Sequence, residues 1–219
     1  THAFNAVSPT HVICQDFFFV VNDLTQGDRV YASNVDNPLT WNAITYTIAE
    51  AMPDKCVALH NSLRDIWLMG ETTTEPYANT GSGNFPFEPI TGAANNIGVQ
   101  APYSVVGDGI ACWLGRTQTG ANQVYMGMKR ISDDDLESIF DTFETTSDAF
   151  GWCYQMLGHS FYGLTFPTAN RTFVYDITAQ AWHERIARLS SSPVVRHIAK
   201  HGSDSANEWL NNGAGNKYI

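Results

Sequence analysis

Four segments of the chain share one pattern, a small or polar turn residue followed by a run of aromatic and aliphatic side chains. They are DFFFVV from Asp16, DIWLMG from Asp65, GIACWLG from Gly109 and HSFYGLTF from His159, and their starts lie 49, 44 and 50 residues apart. Runs of this length bounded by turn residues predict strands. Three of the four are followed by a second strand that carries a tyrosine: DRVYASN with Tyr31, NQVYMGM with Tyr125 and TFVYDIT with Tyr175. Upstream of each first strand lies a shorter apolar piece, HVIC, KCVALH, SVVG or WCYQML, set off by turn signals such as those at Gly107 and Gly158. Trp41 and Trp182 fall at a similar place beyond their tyrosine strands.

Each unit therefore predicts three to four consecutive antiparallel strands. A lone sheet of that size cannot bury both of its faces, so units recurring at this period predict neighbours stacked around an axis. The expected fold is all-β and β-propeller-like, with residues 1–219 as one domain. A sandwich with evenly spaced strands is the alternative. The chain opens on Thr1 and reads as a piece of a longer or processed protein.

The second unit departs from the pattern. After DIWLMG comes ETTTEPY, where Thr72 to Glu75 predict a strand with alternate exposed hydroxyls and Pro76 suits a sheet edge. Residues 79–98 then predict a long Gly/Asn/Pro loop anchored by Phe85 and Phe87. Such a loop is either a contact element or a structured cover over one end of the domain. One helix is expected, over SDDDLESIFDTFETT, residues 132–146. Ser132 is its N-cap, acids sit in its first turn, and Leu136, Ile139, Phe140 and Phe143 recur at helical spacing. A calcium site on the same aspartates lacks the EF-hand spacing.

Charge changes the picture next. With 12 Lys+Arg against 22 Asp+Glu the net charge is -10, which disfavours general attraction to nucleic acid or anionic lipid. Residues 183–201 are a local exception, with Arg185, Arg188, Arg196, Lys200 and three histidines opposed only by Glu184, and read as a solvated loop, the alternative being an anion or nucleic-acid contact. No apolar run reaches the roughly 18 residues of a membrane span. Cys14, Cys56, Cys112 and Cys153 form no CxxC pair and read as buried thiols in a reducing compartment.

No catalytic or cofactor motif is present: neither G-x-S-x-G, H-E-x-x-H, GxGxxG nor a P-loop occurs, and no cofactor or metal is expected. A glycosidase built on a propeller would draw its acids from separate blades, which leaves Asp16, Asp65, Asp108 and Glu184 as candidates. Turn chemistry is the favoured explanation, since an aspartate before a strand hydrogen-bonds its own backbone. Trp41 and Trp182 would serve a lectin, yet both follow a tyrosine strand as packing residues do. The sequon Asn170-Arg171-Thr172 carries no meaning without a secretory route.

Three stretches, GETTTEPYANTGSGNFPFEPI, GHSFYGLTFPTANRTFVYDITAQAWHER and VYASNVDNPLTWNA, resemble the packaged-DNA stabilisation proteins of short-tailed phages. The resemblance covers about residues 16–186 and rests on the joint order of Gly70-Glu71, Thr74-Glu75, Phe85-Pro86-Phe87, Gly158-His159, Phe166-Pro167 and Trp182-His183-Glu184. It implies a virion structural protein of the tail hub, assembled in the bacterial host cytoplasm as a ring, expected to be a hexamer. The ring would close the portal channel after packaging, meeting the portal or adaptor protein and the tail needle, fibre or spike. DNA would pass without specific binding, because an acidic lining repels phosphates. Thr72, Thr73, Thr74, Phe85, Phe87, Trp182 and His183 are the expected interface residues, since aromatic anchors with a polar surround make up interface cores.

Overall fold

The computed structural model describes residues 8–25, 27, 29–48, 54–81, 83–189 and 192–194. It contains four antiparallel four-stranded sheets, each made of strands consecutive in the chain. Blade 1 holds β1 (Val12–Gln15), β2 (Phe18–Asp23), β3 (Arg29–Asn34) and β4 (Asn37–Ile48). Blade 2 holds β5 (Cys56–Ser62), β6 (Asp65–Gly70), β7 (Thr74–Asn79) and β8 (Phe87–Pro89). Blade 3 holds β9 (Ile97–Val99), β10 (Cys112–Thr117), β11 (Asn122–Met126) and β12 (Lys129–Arg130). Blade 4 holds β13 (Phe150–Met156), β14 (His159–Phe166), β15 (Arg171–Asp176) and β16 (Ala181–Arg185). A two-stranded sheet of β17 (Ala187–Leu189) and β18 (Ser192–Val194) follows.

The repeating hydrophobic runs are the second strands of the blades and the tyrosine segments are the third. Blade 2 keeps the rule through Tyr77, paired with Ile66 and completely buried. In the described residues, a buried cluster fills each gap between successive blades. Val20, Val30, Ile66, Leu68 and Tyr77 join blades 1 and 2. Met69, Trp67, Trp113 and Tyr125 join blades 2 and 3. Leu114, Val124, Tyr162, Leu164 and Phe173 join blades 3 and 4. In blades 2 and 3, strand residues of alternating direction thus feed two different interblade layers, which is why their runs are apolar without a break. The architecture is that of a β-propeller.

Several local expectations are corrected. Thr72 to Glu75 do not form an exposed strand: β7 starts at Thr74, and Thr74, Glu75, Pro76 and Tyr77 are all buried. Pro76 lies in the third strand of a four-stranded sheet, not in an edge strand, and its missing N–H is tolerated because the three-residue β8 pairs only with Tyr77 to Asn79. The stretch 79–98 is not one loop. It carries the closing strand of blade 2 and the start of blade 3, both too short to show an alternating pattern. SVVG is not a full first strand either. Only Val106 pairs with Cys112, because Pro102–Ser104 form a 3-10 turn whose Ser104 hydroxyl donates to Ala101 O and accepts from Leu114 N.

The helix α1 spans Asp134–Phe140 only, and its cap is Asp133, whose Oδ1 accepts from Leu136 N at 2.8 Å. Ser132 is engaged elsewhere, donating to Glu137 and accepting from Val124 N. Leu136 and Phe140 bury in the cluster between blades 3 and 4, where the Phe140 ring packs, tilted, at 4.9 Å from Phe166. No basic residue supports the last turn, and the chain leaves the helix at Asp141.

Candidate interaction surface

Each expected interface residue has a definite place, and most of them lie inside. Asp54 Oδ2 accepts four bonds, from Thr72 N (2.7 Å), Thr72 Oγ1 (2.9 Å), Thr73 N (2.9 Å) and Thr73 Oγ1 (3.2 Å). Thr74 Oγ1 donates to Ile97 O at 2.7 Å, tying blade 2 to blade 3. The string of hydroxyls therefore clasps a buried carboxylate and a neighbouring strand. Of the three threonines only Thr72 is exposed. Gly70 lets Asp54 in: a Cβ there would stand 2.2 Å from Asp54 Oδ2.

Phe85 and Phe87 are buried among Tyr77, Leu68 and Val20, with Phe87 edge-on to Phe18 at 5.9 Å. They complete the layer between blades 1 and 2. Trp182 is half-buried, packs on Tyr175 at 5.1 Å and donates from Nε1 to Ile131 O at 2.7 Å. His183 alone of the pair faces solvent. Of the basic stretch, Arg185 stacks on and bonds to Tyr154, while Arg196, His197, Lys200 and His201 lie outside the described residues.

The four candidate acids lie on four different blades, and three of them bond to a named side chain. Asp16 sits in a turn at φ 49 and accepts from Asn79 Nδ2 at 2.8 Å. Asp65 opens β6 in blade 2. Asp108 accepts from Gln155 Nε2 at 3.1 Å. Glu184 is bound by both Arg171 Nε (2.7 Å) and Nη2 (2.9 Å), and that hydrogen bonding keeps its carboxyl below the usual range. Among the described residues, no group of three His, Cys, Asp or Glu side chains is placed to hold a metal ion.

The thiols differ from one another. Burial pushes Cys56 and Cys112 up to about 12 and Cys153 up to about 11, whereas Cys14 is exposed on β1, contrary to its expected burial. Near blade 1, His11 stacks on Tyr103 and its Nε2 lies 3.2 Å from Pro102 O. Close by, burial and then the neighbouring His11 depress His60 to about 4. Tyr162 donates to Ser104 O at 3.0 Å, so the 3-10 turn at Pro102 ties blade 1 to blade 4 as well as to its own blade.

Two features remain available to a partner. The segment 133–148 carries seven acidic residues and no basic one. Arg130, in β12, bonds to Asp134 and, at 2.6 Å, to Glu137. The other feature is an apolar end of the blades, where a cavity of about 500 Å³ opens between blades 3 and 4. No helix among the described residues is long and apolar enough to cross a membrane.

The model of a phage-stabilisation family, described as Bacteriophage P22 Gp10, beta-propeller, matches residues 2–210. No curated protein matches the chain.

Proposed function

We propose, since the chain belongs to the family of bacteriophage P22 Gp10 β-propellers, that it is a structural protein of the virion tail hub that retains packaged DNA. The observation that carries this reading is the family match across nearly the whole chain, on a body whose repeated units are stacked sheets. In this reading copies of the chain assemble in the host cytoplasm into a ring, a hexamer, below the portal or its adaptor. The ring narrows and closes the channel and offers a seat to the tail needle or fibres.

Electrostatics supports a mechanical role. A chain of charge -10 repels phosphates, so duplex passing through the ring is held back by closure and slides freely when the closure opens. Of the acids that a hydrolase would need to converge, Asp16 and Asp108 are bonded to amide side chains and Glu184 to Arg171, each on a separate blade. That arrangement supports a scaffold over a sugar-cleaving enzyme.

The test is to mix the purified chain with portal–adaptor complexes and follow mass and negative-stain images. Rings of the chain seated on the complexes are the expected result. A chain that stays free at every ratio overturns the hub assignment.

A further inference from the structure

One end of the blades, where the first strand turns into the second, carries apolar residues in a conformation that favours glycine or asparagine. Blade 1 has Phe17 there, 70% exposed at φ 67. Blade 2 has Leu63, 76% exposed at φ 59, and blade 4 has Leu157, 92% exposed at φ 52. A left-handed backbone is strained for such side chains, and their exposure returns nothing to the fold. Blade 3 replaces the tight turn with the 107–111 loop and presents Ile110 at the same end. Strain that recurs at one topological position in three blades points to use outside the chain.

The cavity between blades 3 and 4 opens at this same end. Ile110, Cys112, Met126 and Phe161 line it, and the exposed Asp108 and Gln155 stand at its mouth. Its wall is apolar and its mouth holds a carboxylate. A bulky apolar side chain beside a cation or an amide donor meets both demands.

We propose that this end is the docking face for a broad, ring-shaped protein neighbour. Phe17, Leu63 and Leu157 would press on apolar surface of that neighbour, and the cavity would take one of its bulky side chains next to a group that bonds Asp108. The proposal rests on the hub reading and adds to it which end of the blades engages the ring below the portal. Two observations select that occupant. The projecting side chains come from every described blade, so the footprint is too wide for a thin shaft. The mouth carboxylate and the net charge of -10 favour a cation-bearing partner over a second copy of the chain.

The test compares Leu63→Ser/Leu157→Ser with Leu24→Ser, an exposed leucine in the turn at the opposite end of blade 1, for binding to purified portal–adaptor complexes. The double variant is expected to bind at least about tenfold more weakly and Leu24→Ser within about twofold of the unaltered chain. All three melt alike, because the replaced side chains are exposed. In a chain labelled at methionine methyls, Met126 and Met128 signals shift on adding the complexes while the buried Met69 signal does not. If the unaltered chain fails to bind, this proposal and the hub reading fall together. If it binds and the double variant binds as well, only this proposal falls. It also falls if the double variant keeps the complexes but loses self-association or the tail needle.

Discussion

Replacing Asp54 by alanine removes the acceptor on which the turn between β6 and β7 closes. Four donors converge on Asp54 Oδ2, two from Thr72 and two from Thr73. Thr72 is exposed and its donors turn to water, whereas Thr73 is 3% exposed and its two donors are left without a partner. At about 1–3 kcal/mol for each stranded donor, the loss comes to about 3 kcal/mol, or a melting point lower by roughly 6–12 °C for a domain of this size. Gly70 sharpens the test. Its added Cβ would stand 2.2 Å from Asp54 Oδ2, so Gly70→Ala is costly in the unaltered chain and cheaper once Asp54 is alanine. Urea unfolding of both single variants and the double variant is expected to show a coupling of at least about 1 kcal/mol. Additive effects, or a loss below about 1 kcal/mol for Asp54→Ala, would refute the clasp.

Acid should weaken the fold through His60. Its pKa of about 4 in the fold lies below the ordinary value near 6.5, so the unfolded chain binds the proton first, and stability falls by about 3 kcal/mol as pH drops from about 6.5 to about 4. Urea midpoints across that range should flatten in His60→Gln, and an unchanged slope would contradict the assignment. Ellman's reagent should react quickly with one thiol, Cys14, more slowly with the half-buried Cys153, and with the buried Cys56 and Cys112 only after unfolding. Gly163→Val should destabilise strongly, since a Cβ there falls 2.2 Å from the Trp152 ring; equal melting points would show that the ring moves aside freely. Phe140→Ala should cost about 3–5 kcal/mol in calorimetry, because the ring is wholly buried against Phe166 and Phe173.

The central strands were legible because both of their faces are buried. β6 and β10 each feed two interblade layers, while β2 and β14 feed one and keep most of their remaining residues buried or half-buried, and that demand writes an apolar run into the chain. Short outer strands answer to no such demand, so β8, β9 and β12 left no signal of their own. Tyr77 had one: it follows Asp65 by 12 residues, close to the 15 that separate Tyr31 from Asp16, but the threonines and Pro76 before it masked the likeness.

Candidate interface residues were harder to read. Phe85 and Phe87 look the same in sequence whether they face a core or a partner, and only the neighbouring blade decides. The partner of Thr72 and Thr73 is Asp54, 18 and 19 residues upstream, beyond the reach of a local pattern. The projecting turn residues did have a local signal, an apolar side chain where a two-residue turn asks for Gly or Asn, at Phe17, Leu63 and Leu157.

The claim that this protein retains packaged DNA is tested most directly on filled heads. The measurement is the nuclease-protected genome fraction in heads matured with and without the protein. Heads that lack it should lose most of their DNA to nuclease, and addition of the purified chain before nuclease should restore protection. Full protection in its absence would contradict the account.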